Sequence, residues 1–313
     1  MIKYLIQKVL SLLPVLLGIS LIAFVLGVLS PGNPAELALS QGGYEPTREQ
    51  VEAMEHQMGL DVPYPLQYVR WVGRVLTGDL GTSYSTNEPV AQELARRLPV
   101  TLKLAAYSIV LACVSGIALG CTAAVYRGRW PDRMVGALVN AQLSIPAFWL
   151  ALILILVFAE ILGLLPTSGN GGVRYMALPA LALASASAAT AARLTRSALL
   201  AEFGKHYCTA ATARGIGRWR LVLCNALPNA IIPVVALMGN SLGGMLGGSV
   251  IIESIFALPG IGSYALDSIT NRDYPALQGY VLLAGFIYVA ITLLVDSVSM
   301  LLAPKVRLGG RTL

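Results

Sequence analysis

Apolar residues along this chain gather into six long runs, at 9–29, 104–126, 134–159, 175–192, 230–252 and 279–302, divided by polar stretches of very unequal length. A helix that crosses a bilayer needs about 20 largely apolar residues, which each run supplies or nearly supplies. Only the last carries a charge, Asp296. The pattern predicts an all-α polytopic membrane protein with six transmembrane helices.

The longest polar stretch, 30–103, has its own periodicity. Glu45, Glu49, Glu52 and Glu55 alternate with Val51, Met54 and Met58 at helical spacing, predicting a short amphipathic helix that Pro63 and Pro65 then stop. No internal repeat or second soluble domain is visible. The chain therefore divides into an N-terminal end with the first span (1–29), a long loop with short helices (30–103), a five-helix core (104–303) with a polar connection at about 197–228, and a tail (304–313).

Composition agrees: of 313 residues 56% are apolar and 12% charged, against about 45–50% and about 25% in soluble domains. Lys and Arg total 22 against 16 acids, but they do not cluster on a polar domain as in a nucleic-acid binder. They sit in alternate short loops instead. Lys3 and Lys8 precede the first run, and Arg127, Arg129 and Arg133 follow the second. Arg193, Arg196, Lys205, Arg214, Arg218 and Arg220 follow the fourth, and Lys305, Arg307 and Arg311 the sixth; the opposite short loops hold only Arg174 and Arg272. The positive-inside rule then predicts a multi-pass inner-membrane protein with both termini cytoplasmic, and the 30–103 loop is placed outside. The four cysteines lack metal or disulfide spacing and read as small core residues.

Two features inside the runs bear on packing. Gly239, Gly243 and Gly247 recur four apart with Gly244 and Gly248 in parallel register, beside Asn240; such rows let helix backbones approach closely, either within one chain, against a partner subunit or along a moving pathway. The alanines at 182, 184, 186, 188 and 189 carry a weaker version. Glu160 and Glu253 fall at the outer ends of their runs, where they are expected to reach water. Asp296 lies deeper and is expected to face protein or a cavity, as a packing or a transport residue.

The connection between the fourth and fifth runs is built differently again. Ala210, Ala211 and Ala213 favour helix, while Gly215 and Gly217 supply a stop. Trp219, Val222, Leu223 and Ala226 then recur at i, i+3, i+4 and i+7, predicting a second short helix ended by Pro228.

The run 207–215 followed by Asn225-Ala226-Leu227-Pro228-Asn229 resembles the "EAA" loop of permease subunits of bacterial ATP-binding-cassette importers. Ala210, Ala211 and Gly215 match its spacing, and Thr209 stands where the family name has Glu. Pro31-Gly32-Asn33-Pro34, Gly59-Leu60-Asp61, Gly78-Asp79-Leu80-Gly81-Thr82-Ser83, Leu98-Pro99-Val100-Thr101-Leu102, Ile252-Glu253-Ser254-Ile255-Phe256, Pro259-Gly260-Ile261-Gly262 and Arg272-Asp273-Tyr274-Pro275 are similar, in order, to further elements of the peptide, opine and nickel class. The resemblance implies a type I importer permease fold with a long external loop. It also implies a second homologous permease subunit, two cytosolic ATPases and an extracytoplasmic solute-binding protein as partners. Thr209, Ala210, Ala211, Arg214, Gly215 and Ile216 are the expected ATPase contact. Asn240, Gly243, Gly244, Gly247, Gly248, Glu253 and Asp296 are candidate packing or pathway residues.

The only Gly-Lys pair, Gly204-Lys205, has Leu199 where a P-loop needs its first glycine, so the chain is expected to bind no cofactor and to leave ATP and Mg²⁺ to its partners. It is not expected to be an enzyme: His56 and His206 both lie outside the apolar runs, and no metal-ligand cluster appears. Cargo stays open among dipeptides, oligopeptides, glutathione-like peptides and nickel or other metal chelates. A stand-alone secondary transporter or channel is the competing reading, and it expects inverted repeats, broken helices or a relay of buried acids.

Overall fold

The computed structural model describes residues 2–29, 33–40, 46–169 and 171–302, with backbone alone at 2–13, 38, 40, 296 and 298–302. Pro31, Gly32, Glu45 and the tail 304–313 with its three basic residues lie outside the described residues, as do the side chains of Lys3, Lys8 and Asp296.

In chain order the helices are α1 (Ile2–Leu29), α2 (Pro34–Ser40), α3 (Arg48–Met58), α4 (Tyr64–Leu76), α5 (Val90–Val125), α6 (Trp130–Ser144), α7 (Ala147–Leu154), α8 (Val173–Phe203), α9 (His206–Ala213), α10 (Arg218–Arg220), α11 (Leu227–Ile255), α12 (Ile261–Thr270) and α13 (Tyr274–Leu302). Wide π-type turns, Ile155–Ile161 and Leu221–Ala226, extend α7 and join α10 to α11. Among the described residues the only bridge of β type joins Thr82 to Pro89. Four helical stretches there are long and apolar enough to cross a membrane: Val90–Val125, Val173–Phe203, Arg218–Ile255 and Tyr274–Val295. Pro14–Leu29 of α1 is a shorter apolar segment.

The third apolar run does not form one straight helix. It breaks into α6 and α7, which meet at 107°. Pro146 lacks the N–H that would continue α6, and the residue before a proline is pushed out of the helical region; Ile145 accordingly sits at φ −94°, ψ 123°.

The chain forms two compact units, Met1–Thr101 with Pro259–Val289, and Leu102–Leu258 with Ala290–Leu313. In the first, α3 starts on a capping box: the Thr47 hydroxyl accepts from the Gln50 N–H while the Gln50 side chain accepts from the Thr47 N–H at 2.9 Å, an arrangement worth about 1 kcal/mol. α3 ends at Gly59, held at φ +69°. The expected stop at Pro63 and Pro65 is therefore corrected: they precede and open α4, where a missing N–H costs nothing. The aromatic face of α4 packs on α1, with Tyr68 and Trp71 centred 5.4 and 5.9 Å from Phe24. A second core joins Val90 and Leu94 of α5 to Ile261 and Tyr264 of α12 and Ala276 of α13. Glu93, 1% exposed, is held there by Arg96 and by Arg97 at 2.7 Å, and Arg97 in turn stacks over the Tyr264 ring.

In the second unit α8 is the hub, packing against α6, α7 and α11. Its alanines at 182, 184, 188, 189, 191 and 192 are buried, as their small size suggests, while Ala186 is exposed. The tightest approach is to α5. A Cβ on Gly116 would lie 2.6 Å from the Ala191 Cβ and 2.8 Å from the Ala188 carbonyl, and one on Gly120 2.7 Å from the Ala192 carbonyl. Asp132 at the start of α6 takes both a 2.7 Å and a 2.8 Å bond from Arg196 of α8. Of the cysteines, Cys121 and Cys208 are buried, Cys113 half-buried, and Cys224, against expectation, exposed.

Candidate functional site

The connection from α8 to α11 turns on a small helix with two unlike faces. Cys208 and Ala211 of α9 point inward, 2% and 0% exposed, into a core made by Cys121, Ala124, Val125, Leu199, Val222, Ala226 and Ala230. Thr209, Ala210, Ala213 and Arg214 point outward. After the exposed His206 and Tyr207 at its start, the outward face from Thr209 to Ala213 carries no large side chain, so another protein surface can approach its backbone there.

The end of α9 is fixed by backbone geometry. Gly215 adopts φ +78°, its N–H donates to the Thr212 carbonyl at 2.9 Å, and the Ile216 N–H reaches back to the Ala211 carbonyl at 3.3 Å. That pair of bonds is a Schellman ending, which favours glycine at the left-handed position. An added Cβ there would meet nothing within 4 Å, so the demand for glycine is conformational and not steric. The sequence pattern locates both the helix and its stop. It misplaces the end of the following segment: Pro228 does not terminate a second helix, since α10, the wide turn and α11 run on as one path from Arg218 to Ile255. A proline near the start of α11 cannot donate its own backbone bond, and the wide turn ahead of it absorbs the mismatch.

Side chains outside the expected set anchor this element. Glu202, buried near the end of α8, accepts from Lys205 at 2.6 Å and from the Tyr207 hydroxyl, and Asn229 of α11 donates to that same hydroxyl at 3.2 Å. Desolvation, and next the bond to Glu202, push the Tyr207 phenol up to about 12. Trp219 meets Tyr126 edge-on at 6.2 Å. Asn229 closes the run that carries the sequence resemblance, but nothing in its spacing reveals that it binds Tyr207.

The second group of candidates does not gather into one site. On α11, Asn240, Gly244, Gly247 and Gly248 lie exposed on one side, Gly243 is half-buried, and an added Cβ at Gly244 or Gly247 would meet nothing within 4 Å. Gly239, lower on the same helix, abuts Val295 of α13. The expectation that Glu253 reaches water is corrected: it is fully buried, and its backbone carbonyl accepts from the Leu258 N–H at 2.8 Å, whereas Glu160 is exposed. In the other unit the quoted motifs prove to be joints. Asp273 accepts from the Ser83 hydroxyl at 2.5 Å, from the Ser85 N–H at 3.1 Å and from the Ala276 N–H at 3.3 Å, and Thr101 accepts from the Ile261 N–H at 3.0 Å.

Comparison with known proteins gives these elements their class. Residues 116–308 match the family described as Binding-protein-dependent transport system inner membrane component, and residues 1–105 its N-terminal counterpart. The chain belongs to that family. It is similar to the glutathione transport system permease protein GsiC of Escherichia coli (strain K12) and of Salmonella typhimurium (strain LT2), each 38% identical over 98% of this chain and 99% of theirs. It is 39% identical to the corresponding protein of Pectobacterium atrosepticum over the same shares. In fold it is similar to the inward-facing MetNI methionine ABC transporter, with a TM-score of 0.56 and 24% identity over 67% of this chain and 95% of that one. An amino acid ABC transporter with histidines gives a TM-score of 0.51 and 19% identity over 68% and 94%. The chain is thus a multi-pass inner-membrane permease component of an ABC importer and not a catalytic subunit.

Proposed function

We propose that this chain forms half of the translocation pathway of an importer for short peptides of the glutathione type, and that α9 is where a cytosolic ATPase grips it. Both termini and the α8–α11 connection face the cytoplasm in this reading, which the distribution of Lys and Arg supports. Two ATPase subunits hold the ATP and Mg²⁺, a second homologous permease completes the pathway, and an external binding protein delivers the solute. The peptide class is supported by the 38% identity to glutathione permeases along nearly the whole chain; nothing comparable favours nickel or another metal chelate.

The observation that carries the proposal is the construction of α9, a helix anchored from behind by Cys208 and Ala211, bare of bulk in front from Thr209 to Ala213, and locked at its end by Gly215. Because α9 is tied through Tyr207 to both α8 and α11, a displacement imposed on it moves the helices that follow. Nucleotide shifts the balance between inward-open and outward-open packings only by its differential affinity for the two. The open side of α11, from Asn240 to Gly248, is where we place the contact with the second permease or the pathway; the buried Glu253 takes a packing role.

Gly215→Asp tests the coupling. The variant is expected to reach the membrane in normal amount, yet binding-protein-dependent uptake of a radiolabelled short peptide and the stimulated ATPase rate are both lost. Unchanged uptake removes α9 from the coupling role. Uptake that persists without ATP and follows an ion gradient instead returns the protein to the secondary-transporter class.

A further inference from the structure

α4 carries more apolar surface than its fold needs. Viewed down its axis at 100° per residue, its side chains fall into three arcs. One arc, Tyr68, Trp71, Val72 and Val75, packs against Ala23, Phe24 and Val28 of α1 and Val281 and Leu282 of α13. The second, Leu66, Val69, Gly73 and Leu76, is equally apolar but exposed, with Val69 at 64% and Leu76 at 81%. The third and narrowest is polar: Gln67, Arg70 and Arg74.

The depth of α4 beside α1 says what meets the second arc. The Tyr68 hydroxyl is hydrogen-bonded at 2.7 Å to Ser20, and Ser20 lies nine residues, or roughly 14 Å of helix, before the end of α1. α4 is therefore held against the apolar segment Pro14–Leu29 and not beyond it. On that segment Leu17, Leu21, Ile22, Val25, Leu26 and Leu29 are exposed, as the lipid-facing side of a membrane helix is. The polar arc meets a cleft of about 700 Å³ whose walls include Gly27 and Val28 at the end of α1. Gln67 spends its amide on the Leu60 and Val62 carbonyls, leaving Arg70 and Arg74, both exposed and one turn apart, without a carboxylate partner among the described residues. The two acids lining the cleft are engaged elsewhere, Glu55 with Asn33 and Asp79 with the Gly81 N–H.

We propose that α4 is an interfacial helix seated in the bilayer leaflet at the C-terminal end of α1, with its second apolar arc among the acyl chains and Arg70 and Arg74 on the phosphates of anionic headgroups. A wide apolar face bordered by a narrow basic strip is the form in which a helix lies along a membrane surface. The apolar arc is continuous with the exposed side of α1, so a single lipid surface covers both. An arginine pair at headgroup depth binds phosphate through charge-assisted hydrogen bonds. The contact also gives a mechanical result, since it pins the stretch between α1 and α5 to the membrane. In the orientation proposed above this is the external leaflet; the seating itself depends neither on that orientation nor on transport.

The test uses the full chain in vesicles of phosphatidylethanolamine and phosphatidylglycerol, with Cys113→Ala and Cys224→Ser removing the accessible thiols. Bimane is attached to Val69→Cys, Leu76→Cys, Leu21→Cys as a lipid standard, or Glu52→Cys as a water standard. The Val69 and Leu76 probes are expected to be quenched by brominated acyl chains as strongly as the Leu21 probe and to be insensitive to iodide. Quenching by iodide with none from lipid overturns the proposal, as does quenching by neither, which assigns the arc to a protein partner. Brominated phosphatidylglycerol is expected to quench more than brominated phosphatidylcholine, and Arg70→Gln with Arg74→Gln to abolish that preference while acyl-chain quenching stays. No preference in the chain with both arginines overturns the headgroup contact, and a preference abolished by excess inorganic phosphate reassigns the pair to a soluble anion.

Discussion

Two glycine pairs in the same unit, four residues apart on α5 and three apart on α11, differ in what faces them. Gly116 and Gly120 of α5 lie against the backbone of α8, with carbonyl oxygens 2.8 and 2.7 Å from where a Cβ would stand. Gly244 and Gly247 of α11 have, outside their own helix, no atom of the described residues within 4 Å of that point. The first row is filled by the chain itself, and its glycines are required for folding. The second is open among the described residues, none of which sterically demands glycine there, although each glycine weakens a helix by about 0.5–1 kcal/mol relative to alanine. Helix association in lipid lacks a hydrophobic drive and depends on close contact, which is why the contact with the second permease or the pathway is proposed for this open row.

The strongest way to break this comparison is to fill the closed row. Gly120→Leu must displace Thr195 and the Ala192 carbonyl, neither of which is the flexible end of a long side chain. Overpacking of this kind costs about 3 kcal/mol at the upper end of its range. The expected result is a marked loss of folded protein and a lowered unfolding temperature for the full chain in detergent; a stable variant would mean that α5 and α8 separate easily.

The open row sharpens the contrast from the other side. Gly247→Leu is expected to leave the unfolding temperature of the isolated chain nearly unchanged, within about 0.5 kcal/mol. Recovery of the second permease by affinity purification should nevertheless fall roughly tenfold, the equivalent of about 1.4 kcal/mol. Gly244→Ala is expected to stabilise the isolated chain by up to about 1 kcal/mol through helix propensity. Destabilisation by either change would show that this face is covered by the chain itself.

The sequence pattern contains the glycines of both rows but not this distinction, because a row records only that some backbone approaches and not whose. Hydropathy fared better with the long helices: the runs at 175–192, 230–252 and 279–302 fall inside α8, α11 and α13, and the run at 104–126 overshoots the end of α5 at Val125 by one residue. At 134–159 it gave no sign of the 107° bend, which falls at Pro146 between the more polar α6, with Asn140, Gln142 and Ser144, and the wholly apolar α7. The closed row had a readable signal, Gly116 and Gly120 four apart, that passed unnoticed beside the richer row on α11. At the candidate contact, helix-forming alanines and a glycine stop define α9 locally, so that element was legible. Its anchoring was not, because Tyr207 reaches Asn229 across 22 residues and Glu202 belongs to the preceding helix. Burial of Glu253 was likewise hidden, since position within an apolar run does not say whether a side chain faces water or another helix.

The anchoring of α9 gives the smallest effect and the most specific one. Tyr207→Phe keeps the ring but removes the hydroxyl that donates to Glu202 and accepts from Asn229. Glu202 retains Lys205 at 2.6 Å, so the loss is that of one hydrogen bond, about 1 kcal/mol or less. The sign of its pH dependence follows from the phenol's shift up to about 12, above the ordinary value of about 10. A group whose folded value is raised contributes stability that is fully present below the unfolded value and is lost as pH climbs through the folded one. The parent chain is therefore expected to lose more stability than Tyr207→Phe between about pH 10 and 12. Tyr84, held near 12 by burial and then by Asp273, titrates in both chains and cancels in the difference. Thermal unfolding of the two chains across that window isolates Tyr207, and parallel curves would mean that its hydroxyl does not hold α9 to its neighbours.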